Sequence, residues 1–126
     1  MSPVVYDAGV LIAADRSVRR VWAEHRVRLE AGVVPLTPAP VVAQASRSPR
    51  QAQMRRFLRG CEIAPLDEAA AHRAGALLAR SRTKDVIDAC VADLAIRHRA
   101  DVVTDDAGDI ARLLAVARAN VAIIGV

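Results

Sequence analysis

The sequence predicts an α/β domain, a mostly parallel sheet with helices on both faces. Three observations predict it. Short β-like runs alternate with helix-like segments along the whole chain, the pattern of strands joined by helical crossovers. The length of 126 residues suits one domain and leaves little room for a second. A composition 53% apolar and 25% charged supports a packed core and not a disordered chain.

The elements follow in order. Val4-Val5-Tyr6 reads as a strand ending at Asp7. Ser17 to about Ala31 reads as a helix, with Val18, Val21, Trp22 and Leu29 apolar, Ser17 as cap and Gly32 as stop. Val33 to Thr37 is a second strand, which Pro35 marks as an edge or irregular one. Pro38 and Pro40 lead into a helix from Val41 to about Arg47. Ser48-Pro49 breaks it, and another helix runs to Leu58, stopped by Gly60. Cys61 to Pro65 is a weak strand. Asp67 caps a helix through about Ser81 whose inner side carries Ala71, Ala74, Leu77 and Leu78. Val86 to Ile96 is an apolar helix, Val102 to Thr104 a strand, Asp109 to Ala119 a helix, and Val121 to Val126 the last strand. No linker or internal repeat interrupts this order.

Composition narrows the function. Eighteen basic residues face fourteen acidic ones, a net charge of +4. All the basic residues except Lys84 are arginine, a bias that GC-rich coding explains in large part. The excess charge still suits a polyanionic partner. Tyr6, Trp22 and Phe57 are the only aromatic residues, so stacking of bases on aromatic platforms is not expected. Cys61 and Cys90 stand far apart with no second Cys or His at metal spacing, which argues against zinc and for two reduced thiols in a cytoplasmic protein. No apolar run has the length of a membrane span, and no secretory leader is expected before a strand that begins at Val4.

The acids fall in a pattern. Ligands of open α/β sheets bind beyond the carboxyl ends of the strands. Asp7 ends the first strand; Asp105 and Asp106 directly follow the strand Val102-Val103-Thr104, with Asp109 a turn later. Asp85 and Asp88, three apart, share a face near the start of an otherwise apolar helix. Caps and surface turns account for some of these, Asp85 above all. Asp88 is harder to explain so, because an unpartnered carboxylate inside an apolar stretch is costly. Carboxylates from three chain positions would repel one another, and a hard divalent cation relieves the repulsion. Such a cation polarises a phosphodiester and lowers the pKa of a bound water. The residues thus point to a metal-dependent phosphodiesterase.

Three stretches carry a resemblance. Val-Val-Tyr-Asp-Ala-Gly-Val-Leu-Ile-Ala at 4–13, Asp-Val-Ile-Asp-Ala-Cys-Val-Ala at 85–92 and Val-Thr-Asp-Asp-Ala-Gly-Asp-Ile at 103–110 resemble the opening, the central acidic helix and the last acidic loop of PIN-domain ribonucleases of the VapC toxin type. Each motif alone is weak; the three in order at this spacing are specific. The resemblance implies a PIN-like three-layer α/β/α sandwich and an acidic pocket for Mg²⁺ or Mn²⁺. In it Asp7, Asp88 and Asp106 would be the metal-binding and catalytic acids, joined by Asp85 and Asp109. The activity implied is hydrolysis of RNA by a metal-activated water. The partners implied are the RNA substrate, a VapB-like antitoxin that covers the pocket, and a second copy in a homodimer.

One departure stands out. The family usually places Glu in the helix after the second strand, followed a few residues later by Arg; here Gln44 stands at the Glu position and Arg47 follows. An amide oxygen ligates or holds a water but brings no charge. Asp85 is the residue expected to supply the missing charge. The alternative reading is a weakened PIN-fold module that binds RNA or antitoxin but cuts poorly.

Other features rank lower. Residues 1–63 carry a net charge of +5 (ten basic, five acidic) and residues 64–126 a net −1 (eight basic, nine acidic). Arg47, Arg50, Arg55, Arg56 and Arg59 form a basic stretch that is either an RNA track or a solvated helix face. His25, His72 and His98 lack partners at ligand spacing and are expected at the surface or an interface. Trp22 and Phe57 are expected as core or interface anchors. A phosphotransfer site fares badly: Asp7-Ala8-Gly9 lacks the second Asp of a dehalogenase-type site, and no Walker loop exists.

Overall fold

The structure is a computed structural model that describes residues 1–126. Five parallel strands and seven helices alternate: β1 (Val4–Tyr6), α1 (Ala8–Asp15), α2 (Arg19–Glu30), β2 (Leu36–Pro38), α3 (Ala39–Ala45), α4 (Ala52–Leu58), β3 (Glu62–Ala64), α5 (Glu68–Ser81), α6 (Val86–His98), β4 (Asp101–Thr104), α7 (Ile110–Val116) and β5 (Ile123–Gly125). The sheet order is β3-β2-β1-β4-β5. β1 lies at the centre, and the chain changes direction of travel across the sheet between β1 and β4. Helices α1 to α4 pack with one another on one face, and α5 to α7 on the other. This is the predicted three-layer α/β/α sandwich with a parallel sheet.

Helix α1 was not anticipated. Its sequence, Ala-Gly-Val-Leu-Ile-Ala-Ala-Asp, is apolar on almost every side and lacks the period that marks a surface helix. The helix is wedged among α2, α3 and α4, burying Ala8, Val10, Leu11 and Ala14. Ser17 accordingly is not a cap. It takes a left-handed φ of 57° in the turn between α1 and α2, and Val18 holds the cap position of α2 without a side-chain bond. Gly32 is the stop expected, with φ of 80°.

The expectation for the second strand is corrected. β2 is an interior strand between β1 and β3, not an edge. Pro35 lies just outside it, and its carbonyl accepts from Glu62 N at 2.9 Å; the proline within the strand, Pro38, is its last residue. The edges are β3 and β5. Helix α3 begins at Ala39 with Pro40 in its first turn, where a missing N–H costs nothing. It ends at Ala45, so Gln44 sits in its last turn and Arg47 beyond it. On α5, Asp67 caps as expected, accepting from Ala70 N at 2.8 Å, but the inward row is Ala70, Ala74, Leu77 and Ser81, with Ala71 outside.

The three aromatic residues meet in one cluster that joins β1 to α2 and α4. Phe57, fully buried, stacks on His25 at 3.9 Å between ring centres and meets Trp22 edge-on at 5.1 Å. Tyr6 lies 5.4 Å from Phe57, and its hydroxyl bonds His25 Nδ1 at 2.9 Å and accepts from Arg28 at 3.2 Å. His25 is therefore a core residue, 3% exposed, and not the surface histidine expected. Burial, and the Arg28 charge beside it, lower its pKa from the usual 6.5. With so few rings available, concentrating them here gives edge-to-face contacts that aliphatic packing does not provide.

Candidate active site

Register alone brings the first and last acidic motifs together. β1 and β4 pair Val4 with Asp101, Val5 with Val102 and Tyr6 with Val103. One residue further, Asp7 N still donates to Val103 O at 3.0 Å, so the Asp7 and Thr104 side chains meet at the carboxyl edge of the sheet. Thr104 Oγ1 donates to Asp7 Oδ2 at 2.8 Å and accepts from Asp106 N at 3.1 Å. Ala8 N donates to the other oxygen, Asp7 Oδ1, at 2.8 Å. Asp7 is thus the cap of α1 as well as the acid at the end of β1, and it is 8% exposed. A buried carboxylate with donors on both oxygens is held in one orientation. The capping role of Asp7 comes from helix α1, which starts directly after it.

α6 brings the central motif to the same edge. Asp85 caps the helix, its Oδ1 accepting from Asp88 N at 3.0 Å. Asp88, half-buried in the first turn, accepts no hydrogen bond from any protein group. Burial pushes its pKa up from 3.8 to about 6, reinforced by the charges of Asp85, Asp7, Asp109 and Asp106. That response is the physical sign of carboxylates from three chain segments crowding one place. Asp106 turns back on its own loop, Oδ1 accepting from Gly108 N at 2.9 Å.

A cavity of about 400 Å³ lies at this edge, lined by Asp7, Asp85, Asp88, Asp105, Asp106, Gln44 and Arg47 together with Ala8, Gly9 and Ile12. The structure therefore gathers Asp7, Asp85, Asp88, Asp106, Gln44 and Arg47 around one cavity. Asp109 is near enough to act on Asp88 but does not line it. Arg47 is the only cation in the lining; its guanidinium bonds the carbonyls of Ala43 and Ser46 at the end of α3. Asp105 lines the cavity too and was not singled out. Nothing in the sequence marked it; in the structure a Cβ on Gly9 would overlap the Asp105 carboxyl group. As they stand, no three carboxylates share one metal-holding point. The donor set nevertheless fits a hard divalent cation: five carboxylates and an amide against one arginine, with Asp88 unpartnered.

An acidic cavity at the reversal point of a parallel sheet, where strand ends and a helix start converge, is where open α/β proteins bind their ligands. The chain belongs to the PIN domain family, which matches residues 4–115. Its fold is shared with solved structures. VapBC2 from Rickettsia felis, bound to a DNA fragment from its promoter, has a TM-score of 0.72 at 16% identity, covering 98% of each chain. A toxin–antitoxin complex from Klebsiella pneumoniae has 0.66 at 21%, covering 86% of this chain and 90% of that one. FitAcB from Neisseria gonorrhoeae has 0.66 at 18%, covering 96% of each. At such identities the likeness is one of fold. Among curated proteins, none matches the chain in sequence.

Proposed function

We propose that this PIN domain is the toxin of a type II toxin–antitoxin pair, a metal-dependent endoribonuclease that hydrolyses RNA phosphodiesters. The observation that carries the proposal is the convergence of Asp7, Asp85, Asp88 and Asp106 on one cavity, with Asp88 left unpartnered. Family membership supports a nuclease, and the toxin–antitoxin complexes among the similar structures support the toxin role and a VapB-like antitoxin partner. No helix is long and apolar enough to cross a membrane; the working place proposed is the cytoplasm. A homodimer is proposed as the assembly.

Asp7, Asp88 and Asp106 would hold Mg²⁺ or Mn²⁺, with Asp85, Asp109 and the Gln44 oxygen as auxiliary groups. Such a cation supplies Lewis-acid polarisation of the phosphodiester and a lowered pKa for an attacking water. The chain's own groups do the rest. Ala8 N–H and Thr104 Oγ–H fix the orientation of Asp7. Arg47, the one cation in the cavity lining, would hold the RNA backbone by charge beside the acidic centre; of the basic residues that follow it, Arg56 lies over Trp22 and not at the cavity. A ring-poor surface reads phosphates and shape and not stacked bases.

The test is cleavage of a labelled single-stranded RNA by the full chain. Cleavage should require Mg²⁺ or Mn²⁺, stop with chelator, and be lost in Asp7→Asn, Asp88→Asn and Asp106→Asn. Cutting that survives chelation would sink the proposal. Gln44 at the cavity supports a second reading, the weakened binding module. Wild-type protein that binds RNA without cutting, and cuts once Gln44→Glu is made, would establish that reading instead.

A further inference from the structure

The carboxylates of the cavity differ in how much of their bonding capacity is free. Asp7 has donors on both oxygens. Asp85 and Asp106 each give one oxygen to a backbone N–H, Asp88 N and Gly108 N respectively. Asp88 and Asp105 accept no hydrogen bond and make no ion pair. Asp105 is exposed and reaches the cavity from the loop after β4, lying against Gly9 in the first turn of α1. Any side chain at position 9 would put its Cβ into the Asp105 carboxyl group, and that group could not keep its place. Gly9 is otherwise no help to the helix, since glycine loses more backbone freedom on folding than alanine does. Its φ is not in the left-handed region, so backbone conformation does not require it. What its missing side chain provides is room for Asp105.

Gln44 lines the same cavity and brings an oxygen without charge. We propose that Asp105, seated in the space left by Gly9, is a further carboxylate of this site and, beside Asp85, whose Oδ1 is engaged by Asp88 N, supplies the divalent cation with the negative charge that Gln44 does not. The inference rests on the nuclease reading above and adds to it a residue–residue pair, Gly9 with Asp105. It also assigns a role to a position that the acidic motif itself leaves open, the residue between Thr104 and Asp106.

The pair is testable without activity. Mn²⁺ binding to the full chain is measured by electron paramagnetic resonance of the free ion. Asp105 is exposed and unbonded, so Asp105→Asn keeps the fold, which circular dichroism verifies. Loss of a group that serves a metal site weakens binding on the order of tenfold or more, and that is the loss expected for D105N. Gly9→Ala should weaken Mn²⁺ binding to a similar extent, because the added methyl displaces the carboxyl group. The double variant G9A/D105N should then bind as D105N does. D105N binding within a factor of two of wild type, while Asp88→Asn abolishes binding, overturns the inference and leaves the nuclease reading standing. Wild-type protein that binds no Mn²⁺ overturns both.

Discussion

Asp88 should destabilise the metal-free protein. Its carboxyl is held near 6 instead of 3.8, first by burial and then by Asp85, Asp7, Asp109 and Asp106. The folded state keeps this proton more tightly than the unfolded chain does. The contribution to stability is therefore fully present below pH 3.8 and is lost as pH rises through about 6. At about 1.4 kcal/mol per pH unit the displacement corresponds to roughly 3 kcal/mol. Asp88 is only half-buried, and solvent screening reduces this to about 1–1.5 kcal/mol. Asp88→Asn removes the charge while keeping the shape. In chelator at pH 8 and low salt the variant should be about 1–1.5 kcal/mol more stable than wild type, or several degrees in Tm for a domain of this size. At pH 4 the two should coincide. Urea unfolding at both pH values measures the difference, from which other titrating groups largely cancel. A variant no more stable than wild type at pH 8, or an advantage that persists unchanged at pH 4, would refute the crowding of charge around Asp88. A residue that lowers stability where charges crowd together is the pattern expected at a functional site.

Three further outcomes follow from the same geometry. Thr104→Val removes the donor to Asp7 Oδ2 and the acceptor of Asp106 N; it should cost about 1–3 kcal/mol in urea unfolding, and weaken Mn²⁺ binding with it. His25, buried and held below its usual pKa, stabilises the fold only while neutral, so wild-type stability should fall as pH drops below 6.5. His25→Gln should flatten that fall while lowering stability at pH 8, and a variant with the wild-type pH slope would exclude His25 as its source. Phe57→Ala should cost about 3–5 kcal/mol by emptying the centre of the aromatic cluster, measured by thermal melting.

Much of the site was legible because its motifs are local. The spacing of Asp85 and Asp88 places them within one helical turn, and Thr104, Asp106 and Asp109 lie within six residues. What spacing cannot give is how widely separated segments face each other. Gly9 and Asp105 are far apart in the chain, and neither stands out alone. His25 shows the same limit. Val21, Trp22 and Leu29, three or four residues away, put it on the apolar face of its helix, but only the structure shows Tyr6 and Phe57 closing over it.

Helix α1 failed to register because periodicity measures contrast, and a helix buried among three others has none to show. The ends of α5 and α6 are marked not by glycine but by arginines in the left-handed region, Arg82 and Arg99.

By itself the sequence determined the alternation of strands and helices, the parallel sheet, and the three acidic stretches, because each depends on neighbours in the chain. The tertiary structure decided which carboxylates are spent on caps and backbone and which stay free. It did so through the β1–β4 register, which sets Asp7 beside Thr104, and through the close approach of α1 to the β4 loop, which lets Asp105 over Gly9. Hydrogen-bond satisfaction and steric room are properties of surfaces that meet only on folding.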